Sequence, residues 1–250
     1  MYKSTDTFEP QINKVGPTLS FDDNKLYDDH IPLSRIQRTL LSIGSSLMAI
    51  YDPYRHDMVA TFGETSGHNA LRKMYSKMLN NPEGLQILHD RPRISSETID
   101  IDALGKLPTN TFGYAYYRFL VDNRVSPDTR KEVRFVDDVE LAYVMQRYRE
   151  VHDLVHTLLG MPTNMLGEVL VKWVEGIQHD LPMCWLGGLF GPIRLKTRKA
   201  RDFYTKQGLQ WALQCGHQAN DLLSVYYEKR FNQDLNELRN ELNIPTPPKF

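Results

Sequence analysis

The segment from Asp137 to Leu159 constrains the fold most, because Val139, Ala142, Met145, Val151 and Val155 recur there at helical spacing. Asp137 and Asp138 suit the start of such a helix, where the backbone dipole favours negative charge. Gly160, followed by Pro162, supplies a stop and allows a sharp re-entry at Thr163-Asn164. A second helix is then predicted to run to about Gln178, folding back against the first.

The rest of the chain also reads as helical. Leu33, Ile36, Leu40, Ile43, Leu47 and Ile50 step by three and four along one stripe flanked by Arg35 and Arg38, for which packing into the core is the better reading. Asp52-Pro53 ends it, a second helix is expected from about Ser66 to Leu79, and a short one near Gly84 to Asp90. Residues 91 to 109 read as a loop, after which Thr109 or Asn110 caps an aromatic helix containing Phe112, Tyr116, Phe119 and Leu120. Two further helical patterns occupy roughly residues 194 to 215 and 219 to 242. There is no repeat and no alternating strand ladder. The expectation is an all-α fold, a single helical domain over residues 25–250, behind a flexible N-terminal arm at residues 1–24.

The 250 residues are 41% hydrophobic and 24% charged, the balance of a folded globular protein. A formal net charge of −1 offers no cationic excess for a nucleic-acid partner, and two cysteines, Cys184 and Cys215, are too few for a disulfide framework. The longest apolar stretches, Thr39 to Tyr51 and Leu181 to Ile193, fall short of the roughly 20 residues that span a bilayer. Met1 to Pro10, with Asp6 and Glu9 and no Arg, reads neither as a secretory signal nor as an organellar presequence.

One cluster carries chemistry. In His152-Asp153-Leu154-Val155-His156 the histidines stand four apart, about 40° around a helix and one turn along it, so both imidazoles can reach one ion. Asp153 lies at the adjoining edge, where its carboxylate can ligate the ion, orient an imidazole or act on bound water. Glu168 follows His156 by twelve positions, on the helix that folds back. Two imidazoles with two carboxylates and no thiolate suit Zn2+ best, with Fe2+ or Mn2+ as alternatives. A bare His-x-x-x-His is more often a surface or hydrogen-bonded pair; the added Asp and Glu weigh against that here. The spacing is also near the His-Glu-x-x-His of zincin peptidases, but Asp153 is one methylene shorter than their general base and no strand is available to hold a peptide.

The same residues carry a wider similarity. Together with His30-Ile31-Pro32-Leu33, Asp52-Pro53-x-Arg55-x-Asp57-Met58, Thr109-x-Thr111-Phe112-Gly113, Met161-Pro162-Thr163-Asn164, Phe190-Gly191-Pro192-Ile193-Arg194 and Tyr226-Tyr227-Glu228, the motif resembles the mitochondrial coenzyme Q biosynthesis protein 4 family over about residues 25 to 248. The resemblance implies an all-α protein on the matrix face of the mitochondrial inner membrane, attached peripherally, homo-oligomeric and acting with other ubiquinone-biosynthesis proteins. It implies loss or replacement of the C1 carboxylate of a polyprenylated 4-hydroxybenzoate intermediate, by decarboxylation or by oxidative decarboxylation with hydroxylation. It also implies metal ligands at His152, Asp153, His156 and Glu168. A chain trimmed of its presequence would reconcile that location with the N-terminus.

On this reading the metal acts as a Lewis acid, and Asp153 or Glu168, whichever is not a permanent ligand, delivers a proton to C1 as carbon dioxide leaves. A polyprenylated substrate also requires an apolar groove and a seat on the bilayer. Leu181 to Ile193, with Trp185, Leu186, Leu189 and Phe190, is the expected membrane segment. It adjoins Arg194, Lys196, Arg198, Lys199, Arg201 and Lys206, opposed only by Asp202. Core packing of that stretch is the alternative. The rival to an enzyme is a non-catalytic lipid-binding scaffold whose closed four-ligand metal site staples two helices.

Overall fold

Every residue from Leu141 to Leu159 is buried, and the other elements are arranged around that one helix. The structure is a computed structural model describing residues 25–52 and 55–249; the predicted N-terminal arm and Pro53 lie outside the described residues. In chain order the helices are α1 (Arg35–Tyr51), α2 (His56–Ser66), α3 (His68–Leu79), α4 (Pro82–Asp90), α5 (Ile101–Leu104) and α6 (Phe112–Asn123). They continue as α7 (Val139–Leu159), α8 (Met165–His179), α9 (Pro182–Phe190), α10 (Arg198–Phe203), α11 (Leu209–Gln218) and α12 (Leu235–Glu241). The fold is all-α, and among the described residues the sole extended pairing is an isolated bridge between Thr111 and Asp234.

A helix buried on all sides would normally be apolar, but α7 carries Arg147, Arg149, Glu150, His152 and Asp153 into the interior. Each must be paired, since an isolated buried charge is prohibitively costly. Arg147 donates to both carboxylate oxygens of Glu228 and to the Val225 carbonyl. Arg149 donates to Glu64, and Glu150 accepts from Arg93 and from the Ile94 amide. These pairs tie α7 to α2, to the loop after α4 and to the segment after α11. Asp138 caps the start of α7 by accepting from the Leu141 amide, and Gly160 ends it in the left-handed region at φ 65.

Several elements differ from the sequence reading. Helix α2 escaped the periodicity because its buried face carries Thr61, Glu64 and Thr65; Glu64 is pinned by the Arg134 and Phe135 amides as well as by Arg149. The cap of α6 is Thr111, whose hydroxyl accepts from the Tyr114 amide, rather than Thr109 or Asn110. The loop at 91–109 contains the short α5. Residues 194–215 break into α10, a π-helical turn at Tyr204–Gly208 and α11. Residues 219–242 do not form one helix: 3-10 turns at Leu222–Ser224 and Tyr227–Lys229 precede α12. Leu222 to Tyr227 are buried in succession, and the irregular path aims the Val225 carbonyl at Arg147.

The expected core packing of the α1 stripe is overturned. Ile36, Leu40 and Leu47 are 74%, 66% and 62% exposed, and Ile43 and Ile50 face out with them. Small Ser45 and Ala49 are the residues α1 buries, and they let it lie close on α2 with its larger side chains turned away. Ser34 and Gln37 form a reciprocal capping box at its start. At its end the Arg194 guanidinium donates to the carbonyls of Ile50 and Tyr51, coupling α1 to the turn after α9. No helix among the described residues is long and apolar enough to cross a membrane.

Candidate metal centre

Two glycines bring the third group to the histidine pair. Gly160 reverses the chain after α7, and Gly167 sits so close to Pro162 that a Cβ there would collide with the Pro162 carbonyl. Asn164 caps α8 by accepting from the amides of Leu166 and Gly167, which places Glu168 in its first turn opposite α7. His152 Nε2 then lies 3.5 Å from Glu168 Oε2, and His156 Nε2 lies 3.4 Å from Glu168 Oε1. One ligand atom from each of His152, His156 and Glu168 lies within 4.8 Å of the others.

The far side of each imidazole decides what the near side offers. His156 Nδ1 is 3.1 Å from the Met161 carbonyl, and His152 Nδ1 is 2.7 Å from Glu175 Oε1. Both partners only accept, so Nδ1 carries the proton in each neutral ring and Nε2 presents a lone pair inward. His156 Nε2 is buried with no hydrogen-bond partner. An orphaned nitrogen beside a carboxylate, with the opposite nitrogen committed as donor, is what a divalent ion requires of a histidine ligand. The residues present therefore fit a metal.

Electrostatics sharpen the site. Burial alone would raise the Glu168 carboxyl, but His156 and His152 hold it well below the usual carboxylate range. Glu175 is likewise held low against its burial, by Lys172 and His152. Burial and Lys172 work against protonation of His152, yet Glu175 and Glu168 raise it on balance, so an ion binding there competes with a proton.

Asp153 is not drawn into this cluster. One of its carboxylate oxygens accepts from Arg130 at 2.5 Å, and among the described residues the group of mutually close ligand atoms comprises the other three alone. Sequence reasoning missed Lys172 and Glu175. The Lys172 Nζ donates to Glu175 Oε2 at 2.7 Å and to the Tyr148 hydroxyl at 3.0 Å, and Tyr148 in turn donates to Glu175. The signal was present: positions 168, 172 and 175 are spaced four and three apart, one face of α8.

A cavity of about 200 Å3 adjoins the cluster, with Glu168 and Lys172 among its lining groups. Val59, Phe62 and Leu186 make it largely apolar, and it reaches Ile50 and Phe190, which are exposed on α1 and α9. Arg194 lines it as well.

These features define a class first: an all-helical protein in which two histidines on one helix and a carboxylate from the next converge beside an apolar cavity. More particularly, the chain belongs to the Coq4 family, since the family model for coenzyme Q (ubiquinone) biosynthesis protein Coq4 matches residues 27–248. A Xenopus tropicalis relative named ubiquinone biosynthesis protein COQ4 homolog, mitochondrial, is 57% identical over 92% of this chain and 81% of its own. The Homo sapiens protein of the same name is 55% identical over 89% of this chain and 84% of its own. A crystal structure from Nostoc punctiforme PCC 73102, of a protein described as a candidate for ubiquinone biosynthesis, shares the fold. Its TM-score is 0.66 at 18% identity, covering 83% of this chain and 99% of that one.

Proposed function

We propose that the protein serves ubiquinone biosynthesis as a divalent-metal-dependent enzyme that removes the C1 carboxylate of a polyprenylated 4-hydroxybenzoate-type intermediate, by decarboxylation with or without accompanying hydroxylation. The observation that carries this reading is the convergence of two imidazoles and Glu168 at a largely apolar cavity. When bound, Zn2+, Fe2+ or Mn2+ would supply Lewis acidity toward the substrate carboxylate.

The chain's own residues do the rest. His152 and His156 present fixed lone pairs, and Glu168 supplies the anionic ligand. Asp153 stands behind them as the fourth proposed ligand; to reach the ion it must exchange its bond to Arg130. In the non-oxidative route a proton takes the place of carbon dioxide at C1, and whichever of Asp153 and Glu168 is not a permanent ligand is the proposed carrier. Phe62, Leu186 and Val59 exclude water and take the lipid chain. The scaffold reading needs a closed four-ligand staple, which Asp153 would complete only by leaving Arg130; while that bond holds, three donors leave a position open for substrate.

The relatives are named as mitochondrial, and we place this chain peripherally on the matrix face of the inner membrane, as a homo-oligomer beside other ubiquinone-biosynthesis proteins. Its seat is the outward face of α1 with Leu189, Phe190 and Ile193, next to the exposed cations Arg194, Lys196, Arg198 and Lys199. The start of the expected segment, Leu181 to Cys184, is largely core; its exposed large apolar side chains are Leu189, Phe190 and Ile193 at the far end. An apolar face bordered by cations suits an anionic lipid surface, at roughly 1 kcal/mol per cation. The test is chelation followed by metal restoration: turnover of the prenylated acid should disappear and return, and His156→Ala should abolish metal and turnover together. Undiminished turnover in metal-free protein would contradict the proposal.

A further inference from the structure

Lys172 stands where no metal ligand is needed. It lies one turn beyond Glu168 on the same face of α8 and lines the same cavity, with a side chain 15% exposed. An ammonium has three N–H donors. Two are committed, to Glu175 Oε2 and to the Tyr148 hydroxyl, and the third meets no acceptor among the described residues. Glu175 does not depend on Lys172 alone, because the Tyr148 hydroxyl also donates to it and His152 Nδ1 lies 2.7 Å from it. The cavity's other charged donor, Arg194, is directed to the carbonyls of Ile50 and Tyr51, at the end marked by α1 and α9.

From this arrangement we infer that Lys172 is the specificity-determining cation of the cavity, donating its third N–H to the carboxylate of a lipid-tailed aromatic acid. The inference rests on the reading that the cavity holds such an amphiphile. A carboxylate arriving beside Glu168 meets like charge, and Lys172 is placed to offset it. An ester or amide of the same ligand fills the same apolar volume but gives the ammonium no ionic partner. The cavity therefore selects the free acid before any metal takes part.

The test uses the full chain, stripped of metal with a chelator so that no ion takes the carboxylate. Tryptophan fluorescence reports binding, since Trp173 and Trp185 form an edge-to-face pair at 5.8 Å on α8 and α9. The probes are 4-hydroxybenzoate bearing a geranyl chain and its methyl ester. The wild-type protein is expected to bind the acid about tenfold more tightly than the ester, the scale of one charge-assisted hydrogen bond. In Lys172→Met that ratio should fall to near one with ester affinity unchanged, whereas Lys172→Arg should retain a preference for acid. Because Lys172→Met leaves Glu175 short of a buried partner, Lys172→Met/Glu175→Gln is measured against Glu175→Gln alone, and only the double variant should lose the ratio. An acid preference that survives Lys172→Met, or none in the wild type while the ester binds, would overturn the assignment and leave the cavity reading standing. Failure of both probes to bind would sink the cavity reading and the inference with it.

Discussion

His152 and His156 are held by groups outside the cluster of proposed ligand atoms, and the consequence for metal binding can be measured. The Glu175 carboxylate, 2% exposed, fixes the orientation of the His152 ring. Glu175→Gln keeps an acceptor there but loses the charge. Metal affinity, read by competition with a chromophoric chelator, should fall about tenfold, as for other outer partners of metal-bound histidines; equal affinity would show that Glu175 has only a packing role. The thiols behave differently from ligands. Cys184 lies 3.2 Å from the Tyr148 hydroxyl, yet burial pushes its thiol up to about 12, and burial does the same for Cys215. Neither thiol forms appreciable thiolate near neutral pH, so alkylation at about pH 8 should label both only after unfolding. Rapid labelling of Cys184 in the native protein would contradict this.

Two helices show how an element's surroundings decide its use. On α8, a methyl at Gly167 must displace the Pro162 carbonyl. Gly167→Ala is expected to cost about 1–3 kcal/mol by denaturant titration and to lower metal affinity by moving Glu168. On α1, Leu40→Glu/Leu47→Glu should leave the melting temperature near wild type and abolish flotation with anionic liposomes. Had those leucines been core, even truncation to Ala would cost about 2–5 kcal/mol at each and a buried carboxylate more, so loss of folding in the double variant would refute the exposed placement. Periodicity identified the α1 stripe correctly, but it records a face and not the medium against which the face lies. The His152, His156 and Glu168 constellation was legible because helical spacing alone places the imidazoles, and the glycine–proline break returns the carboxylate. The Arg130 partner of Asp153 was not legible, since that contact depends on how the preceding loop packs.

Across the whole molecule, the buried charges of α7 join separate parts of the chain into one folding unit. Arg147 is fully buried and pairs with Glu228 near the C-terminal end. Arg147→Met should destabilise the protein by about 3–5 kcal/mol, the usual cost of breaking such a pair from one side, as read from a urea unfolding curve; a loss below about 1 kcal/mol would mean that Glu228 finds water at little cost. This polar interior also explains the sequence reading's failures at 56–66 and 219–242. Both regions supply partners to α7, so their patterns follow its charges more than any amphipathic period of their own. Fold class was still readable, because α7 and α8 carry strong local signals. The proposed removal of a carboxylate from a lipid-tailed acid, at a metal held in this interior, can be followed at the carbon that leaves. Its most direct test is release of labelled carbon dioxide from a carboxyl-labelled polyprenyl hydroxybenzoate by metal-loaded protein on liposomes, beside His156→Ala. Release is expected from the wild type and none above background from the variant; equal release from both, or none from metal-loaded wild type with the lipid bound, would contradict metal-dependent decarboxylation.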